Sequence, residues 1–339
     1  MPSSDDLKML QALPLDLKIE KSMARIREWV YHYGEDGVYV SFSGGKDSTV
    51  LLDLVRSEFP NVPAVFFDTG LEFPEIREFV KSVPNVELVH PTRYNKKTRQ
   101  YERVSFRDII KDYGYPIISK PIAETVRLAK KNIADGNLDT FRVQRINGTL
   151  EMSPGRKSFY NCAQWKFLLD APFDMSEKCC DLMKKNPAKQ YTTRTGRVPF
   201  VATMAHESLT RKTTWLQYGC NAYDGRNPQS KPLSFWTEQD ILAYIVERNL
   251  SYATVYGDIV RDKNDEYTTT GCDRTGCVYC AFGVTQESRP NRFESLKETH
   301  PQLWDYCMRP MNAGGLGMQA VLDYIGVPSG AVKTEMMSD

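Results

Sequence analysis

The stretch Val38-Tyr39-Val40-Ser41-Phe42-Ser43-Gly44-Gly45-Lys46-Asp47-Ser48-Thr49-Val50-Leu51-Leu52 decides how the rest of this chain is read. Val38 to Phe42 is a short β-prone run. Thr49 to Phe59 reads as a helix with Val50, Leu51, Leu54 and Val55 on one side. Between them stand two glycines and a lysine. Glycines let the backbone turn its N–H groups toward an anion, a helix N-terminus adds about half a positive charge, and Lys46 supplies a whole one. Ser43 and Ser48 add hydroxyl donors. The plainer alternative is a Gly-Gly turn before a helix capped by Asp47 or Ser48, but the strand before, the helix after and the flanking Ser, Lys and Asp favour a phosphate loop. It is not a Walker A loop, because Lys46 is followed by Asp47 and position 40 is Val rather than Gly.

Working outward, Leu15 to Tyr33 has Ile19, Met23, Ile26 and Trp29/Val30 at helical spacing. Pro63 to Phe67 reads as a second buried strand, Pro74 to Ser82 as a helix, and Val86 to Val89 as a third strand. This alternation predicts βαβ units and a doubly wound, mostly parallel α/β sheet. Val198 to Thr203 is a candidate returning strand, with a helix from about Glu207. Thr237 and Asp240 form a capping box for a further helix. Arg93 to about Tyr191 reads as mostly helical with loops. The expected organisation is an N-terminal helical segment (1–36), an α/β nucleotide-binding domain (37–260, with a helical insertion at about 93–191) and a cysteine-rich region (261–339).

The 339 residues carry 44 Lys and Arg against 43 Asp and Glu, so net charge selects no polyanionic partner. No long apolar run predicts a membrane span, and Met1 to Leu17 lacks an export signal, so a cytoplasmic location is expected. Eight cysteines, several of them clustered, fit metal ligands better than a disulfide scaffold.

The loop Ser43 to Ser48 resembles the PP-loop of the adenine nucleotide α-hydrolase superfamily, whose fold is of the HUP type. Phe67-Asp68-Thr69-Gly70-Leu71-Glu72-Phe73-Pro74-Glu75 resembles the phosphoadenosine phosphosulfate reductase family within it. So do Met204-Ala205-His206-Glu207-Ser208-Leu209-Thr210-Arg211 and Pro232-Leu233-Ser234-Phe235-Trp236-Thr237-Glu238-Gln239-Asp240-Ile241. The resemblance implies that Ser43, Gly44, Gly45, Lys46, Asp47, Ser48, Asp68, Glu72, Glu207 and Arg211 bind an adenine nucleotide. Lys46, Asp68 and Arg211 are the candidates for catalysis. Asp68, at the carboxyl end of a strand, is placed to hold Mg²⁺ or simply to cap a turn before Gly70. Arg211, four residues after Glu207, either reaches a phosphate or sulfate or pairs with Glu207 at the surface.

Cys179-Cys180 and Cys277-Val278-Tyr279-Cys280 resemble the iron–sulfur site of adenosine phosphosulfate reductases, with Lys184 and Lys185 as its basic neighbours. That resemblance implies a [4Fe–4S] cluster on Cys179, Cys180, Cys277 and Cys280. The competing set is a structural Zn²⁺ on Cys272, Cys277 and Cys280 with His300 or Cys307.

The match breaks at the chain's end, where Lys333-Thr334-Glu335-Met336-Met337-Ser338-Asp339 holds no reductase-type cysteine motif and Cys307 is the last cysteine. The phosphate loop, by contrast, is intact, as binding of a leaving pyrophosphate demands. The sequence therefore points first to ATP and Mg²⁺: adenylation of an acceptor with pyrophosphate release, serving sulfur transfer to a nucleic acid (DNA or tRNA) or a small molecule, with a sulfur-donor or reductant protein as partner. The alternatives are a sulfonucleotide reductase that releases sulfite and a non-catalytic nucleotide-binding subunit. Pro91 to Asp135 carries 11 Lys and Arg against 5 Asp and Glu, interleaved with Tyr94, Tyr101, Phe106, Tyr113 and Tyr115. That pattern fits a nucleic-acid surface, or a solvated helix whose aromatics pack inward.

Overall fold

The computed structural model describes residues 2–223 and 227–331, so the cysteine-free tail Lys333 to Asp339 lies outside the described residues. The chain forms two compact units, Met1–Arg103 with Lys184–Cys277, and Val104–Met183 with Val278–Asp339.

The strands of the first unit include β1 (Val38–Ser41), β2 (Ala64–Phe67), β3 (Val86–Val89), β4 (Thr92–Asn95), β5 (Gln100–Arg103), β6 (Val198–Val201), β7 (Asn221–Ala222) and β8 (Gln229–Ser230), with a separate antiparallel pair, Ile259–Arg261 and Tyr267–Thr269. The main sheet has the order β7-β8-β6-β1-β2-β3. β1 lies at its heart, parallel to β2 on one side and to β6 on the other. β3 continues the parallel set, and only β7 runs against its neighbour. Its helices include α1 (Leu15–Tyr33), α2 (Lys46–Arg56), α3 (Pro74–Ser82), α4 (Leu209–Tyr218) and α5 (Glu238–Arg248), besides Ser4–Gln11 and Asn186–Thr195.

Alternation along β1 explains the double winding. Val38 and Val40 join Ile26 and Trp29 of α1, Val50, Leu51 and Leu54 of α2, and Ile241 and Ile245 of α5 in one core. Tyr39, between them, points into a second cluster with Val65 and Tyr191. Packed on both faces, β1 has no solvent side over its first three residues, which is why Val38, Tyr39 and Val40 follow one another before Ser41.

Two sequence expectations change. α2 begins at Lys46 rather than Thr49, so Lys46, Asp47 and Ser48 form its first turn. Residues 93–191 are not uniformly helical: β4 and β5 pair as an antiparallel hairpin, and Glu151–Ser153 pairs with Arg156–Lys157 as another. The polar tract Asn95 to Arg99 has no apolar i, i+4 partners to hold a helix. The Asn95 side chain instead accepts from the Lys97 amide at 2.9 Å, closing a turn.

The second unit is mainly helical, with Lys120–Ala134 and Phe141–Asn147 as its central pair and Arg292–Thr299, Pro301–Met308 and Met318–Tyr324 from the C-terminal part of the chain. A short parallel pairing of Ile117–Ile118 with Ala281–Phe282 ties those two parts of the chain together. No helix among the described residues is long and apolar enough to cross a membrane.

Candidate nucleotide site

The loop between β1 and α2 is held by its own side chains. Ser48 donates from its hydroxyl to the Gly45 carbonyl at 2.9 Å and accepts from the Ser43 amide at 3.2 Å. Gly44 has φ +72°, and a Cβ there would meet Val80 Cγ2 at 2.8 Å and Ile76 Cγ2 at 2.9 Å. Glycine is thus required twice, by conformation and by the approach of α3. Gly45 is the N-cap of α2 and no side chain caps the helix. The positive end of α2 is therefore open to an anion.

Lys46 is buried, and its Nζ donates to Glu238 Oε1 at 3.1 Å while standing 5.0 Å from the centre of the Tyr256 ring. Burial pushes the Asp47 carboxyl above its ordinary range, against the pull of Lys46. Glu207, partly buried, holds two arginines: Arg211 four residues on, and Arg274 at 3.0 Å. Its position is set by the Met204 amide, which donates to it at 2.8 Å. Lys46, Arg211 and Arg274 line one cavity together with the loop, as do four carboxylates, those of Asp47, Glu207, Glu238 and Asp273.

A second cavity is apolar, walled by Phe66, Phe67, Phe73 and Ile76, with Glu72, Lys184 and Lys185 at its edge. Ser43, Thr275 and Gly276 line both cavities, which makes them one cleft. An aromatic base fits the apolar part and an anionic group fits the loop part. Glu72 also stabilises the turn after β2, accepting from the Thr69 hydroxyl at 2.7 Å and from the Leu71 amide at 3.2 Å.

The cleft gathers Ser43, Gly45, Lys46, Asp47 and Ser48 of the loop with Glu207, Arg211 and Glu72, while Gly44 is turned toward α3 and lines neither cavity. Asp68 lines neither cavity. Its buried carboxylate accepts from Arg77 at 2.9 Å, lies 3.5 Å from His90 and 3.7 Å from Arg103, and takes the Gly70 amide at 3.1 Å. A Mg²⁺ ion there would have to compete with these cations for the carboxylate. Arg274, Glu238 and Tyr256 are site residues that the sequence reading did not single out. Glu238 carried a signal only as the acidic first residue of a capped helix, and Arg274 stood unnoticed beside the cysteines.

Cys179 is buried, and Cys180, Cys277 and Cys280 are partly buried. Lys184 and Lys185 follow the first pair in the chain, and Gly276 precedes the second. Among the described residues no group of three or more His, Cys, Asp or Glu is arranged to hold a metal ion, for either the iron–sulfur or the zinc set. Cys307 is fully buried, and burial pushes its thiol far above the ordinary range. In Cys272, burial and then the charges of Glu75 and Asp273 also raise the thiol.

Residues 37–111 match the phosphoadenosine phosphosulfate reductase domain. The chain is 25% identical over 296 residues to an adenosine 5'-phosphosulfate reductase of Staphylococcus epidermidis, covering 84% of this chain and 88% of that protein. It is 23% identical to one of Anoxybacillus flavithermus, covering 87% and 94% respectively. A crystal structure of phosphoadenylyl-sulfate reductase from Candida auris, a phosphate complex, aligns with a TM-score of 0.39 at 15% identity, over 78% of this chain and 98% of that one.

Proposed function

We propose that the cleft binds an adenosine phosphosulfate and that the protein is a sulfonucleotide reductase, a reading supported by the match of residues 37–111 to the phosphoadenosine phosphosulfate reductase domain and by the similarity of most of the chain to adenosine 5'-phosphosulfate reductases. The adenine would occupy the apolar cavity and the phosphosulfate would lie against the α2 N-terminus. The observation that carries this reading is the charge balance of the loop cavity, in which four carboxylates already face Lys46, Arg211 and Arg274. A triphosphate brings about twice the negative charge of a phosphosulfate into a site whose cations are largely neutralised.

In this reading a thiolate attacks the sulfate sulfur, the S–O bond to the phosphate breaks, and AMP departs with the electron pair. A second thiol then attacks the sulfur-bearing thiol, forming a disulfide and freeing sulfite. Lys46, Arg211 and Arg274 stabilise the charge that develops on the departing phosphate, while Ser43 and Ser48 orient it. Cys307 is no nucleophile, since a buried, protonated thiol does not attack. This reading takes both thiols from a dithiol reductant. A [4Fe–4S] cluster on Cys179, Cys180, Cys277 and Cys280 is part of the proposal on donor chemistry alone: four thiolates, with Lys184 and Lys185 close behind the first pair in sequence. When bound it would supply local charge and rigidity. Iron and sulfide analysis of anaerobically prepared protein tests it, and zinc in place of iron would favour the other set.

The second reading, ATP-dependent adenylation with Mg²⁺, is favoured by the intact loop and its uncapped helix, because a divalent ion would offset the extra carboxylates. The two readings part in one assay. Adenosine phosphosulfate, or its 3'-phosphorylated form, with excess dithiothreitol should yield sulfite and the corresponding adenosine phosphate. No sulfite from either, together with pyrophosphate and AMP from ATP and an acceptor, would reverse the order.

A further inference from the structure

The β4–β5 hairpin has no part in the nucleotide cleft. It follows β3, whose carboxyl end lies on the same side of the sheet as the end of β1 that carries the phosphate loop, because β1, β2 and β3 are parallel. Its register sets Tyr94 opposite Tyr101, and the two rings meet edge to face with centres 5.4 Å apart. Tyr94 is nevertheless 50% exposed and Tyr101 66% exposed. The contrast with Phe106, buried three residues past the hairpin, shows that these rings are not an inward-packing helical face.

Charge reinforces the point. Between positions 91 and 103 the chain has five basic residues, Arg93, Lys96, Lys97, Arg99 and Arg103, against one acid, Glu102. All five basic residues are exposed. Glu102 is turned to structure: it accepts from Asn95 at 2.7 Å and from the Thr98 hydroxyl at 2.9 Å, closing the turn. The result is a braced hairpin with a cationic tip and two accessible aromatic rings.

We propose that this hairpin binds single-stranded nucleic acid, with Lys96, Lys97 and Arg99 on phosphates and Tyr94 and Tyr101 stacked on bases. Cations track a phosphate backbone, and aromatic faces capture bases only where those bases are unpaired. An acidic protein surface would use the lysines but leave two hydroxyphenyl rings in water. A duplex would do the same. The proposal goes beyond the sulfonucleotide reading and does not rest on it.

The test is fluorescence anisotropy of the full chain with labelled oligothymidylate, oligouridylate and a duplex of equal length, across about 50 to 200 mM salt. Binding to either single strand is expected, and a preference between the two identifies DNA or RNA as the source. The triple variant Lys96→Ala, Lys97→Ala, Arg99→Ala should flatten the log–log salt slope by about 2, three phosphates at roughly 0.7 each. Tyr94→Ala with Tyr101→Ala should weaken binding about tenfold or more while leaving the slope unchanged. Both variants should keep the parent's thermal midpoint and AMP affinity, since neither touches the core or the cleft. No single-strand binding at the lowest salt, an unaltered slope in the triple variant, or equal affinity for the duplex or for inorganic polyphosphate would each overturn the proposal.

Discussion

Glu238 and Lys46 compete with the ligand for one another, and removing the carboxylate should therefore tighten nucleotide binding. Lys46 Nζ lies 3.1 Å from Glu238 Oε1, and Glu238 is 39% exposed while Lys46 is only 5% exposed. At that separation Coulomb's law gives about 5 kcal/mol with an effective dielectric near 20 and about 1 kcal/mol in water. The exposure of Glu238 places the pair toward the wetter end, at about 1–2 kcal/mol. An anion arriving at the α2 N-terminus must displace or share that contact, so Glu238→Gln should improve affinity for AMP about tenfold. Lys46→Met should act oppositely, with the loss of a charged hydrogen bond costing roughly 1.5–3 kcal/mol, or about 10- to 150-fold. In the double variant the Gln substitution should bring no gain, because it works only through the lysine. Isothermal titration calorimetry with AMP and with adenosine phosphosulfate on all four proteins measures this. If Glu238→Gln weakened binding, or helped equally without Lys46, the carboxylate would be a ligand contact in its own right and the charge argument would fail.

Further outcomes are expected elsewhere in the site. Gly44→Ala should destabilise the first unit by about 2–4 kcal/mol, combining the cost of φ +72° with the contacts to Val80 and Ile76; a thermal midpoint within a degree of the parent would contradict this. Asp47 has its carboxyl raised from 3.8 by burial, so the folded protein holds that proton to higher pH than the unfolded chain does. Both stability and affinity for an anion should then fall as pH rises above that value and the charge appears. Asp47→Asn should remove part of this dependence in AMP titrations carried upward from the ordinary carboxylate range; equal slopes in the two proteins would count against it. Cys307→Ala should cost about 1 kcal/mol of stability as a small buried cavity and leave sulfite release intact. A folded Cys307→Ala protein without sulfite release would return the nucleophile to this chain.

How much could be read before the fold was seen depended on whether a signal was local. α1 and all but the first turn of α2 announced themselves by period, and β1 to β3 by apolar runs at βαβ spacing. Thr237 and Asp240 form the capping box their spacing predicts, with the Thr237 side chain accepting from the Asp240 amide and the reverse. Arg274 and Glu238 were not legible in this way. Their relevance comes from contacts across long stretches of chain, such as Lys46 to Glu238, which no periodicity encodes. The β4–β5 hairpin was hidden for a different reason. Both its faces are largely exposed, so it lacks the in-and-out alternation that marks a half-buried strand. Its basic, tyrosine-rich composition was visible, but not the geometry that leaves the tyrosines in water. Arg211 had two readings, an anion ligand or a partner of Glu207. The structure shows the pairing, with Glu207 and Arg211 both on the wall of the cleft.

The start of α5 joins distant parts of the first unit. Lys18 of α1, buried, donates to Asp240 at 2.6 Å, and the same carboxylate oxygen takes the Thr237 amide at 2.6 Å. Two residues earlier, Glu238 reaches for the phosphate loop. Lys18→Ala would strip Asp240 of its counterion and leave a largely buried charge uncompensated, a loss of about 3–5 kcal/mol. The helix start would then loosen, and with it the hand that restrains Lys46. The N-terminal helical segment is therefore a tether on Lys46, and any trimmed version of this protein should be judged by its ligand affinity as well as by whether it folds.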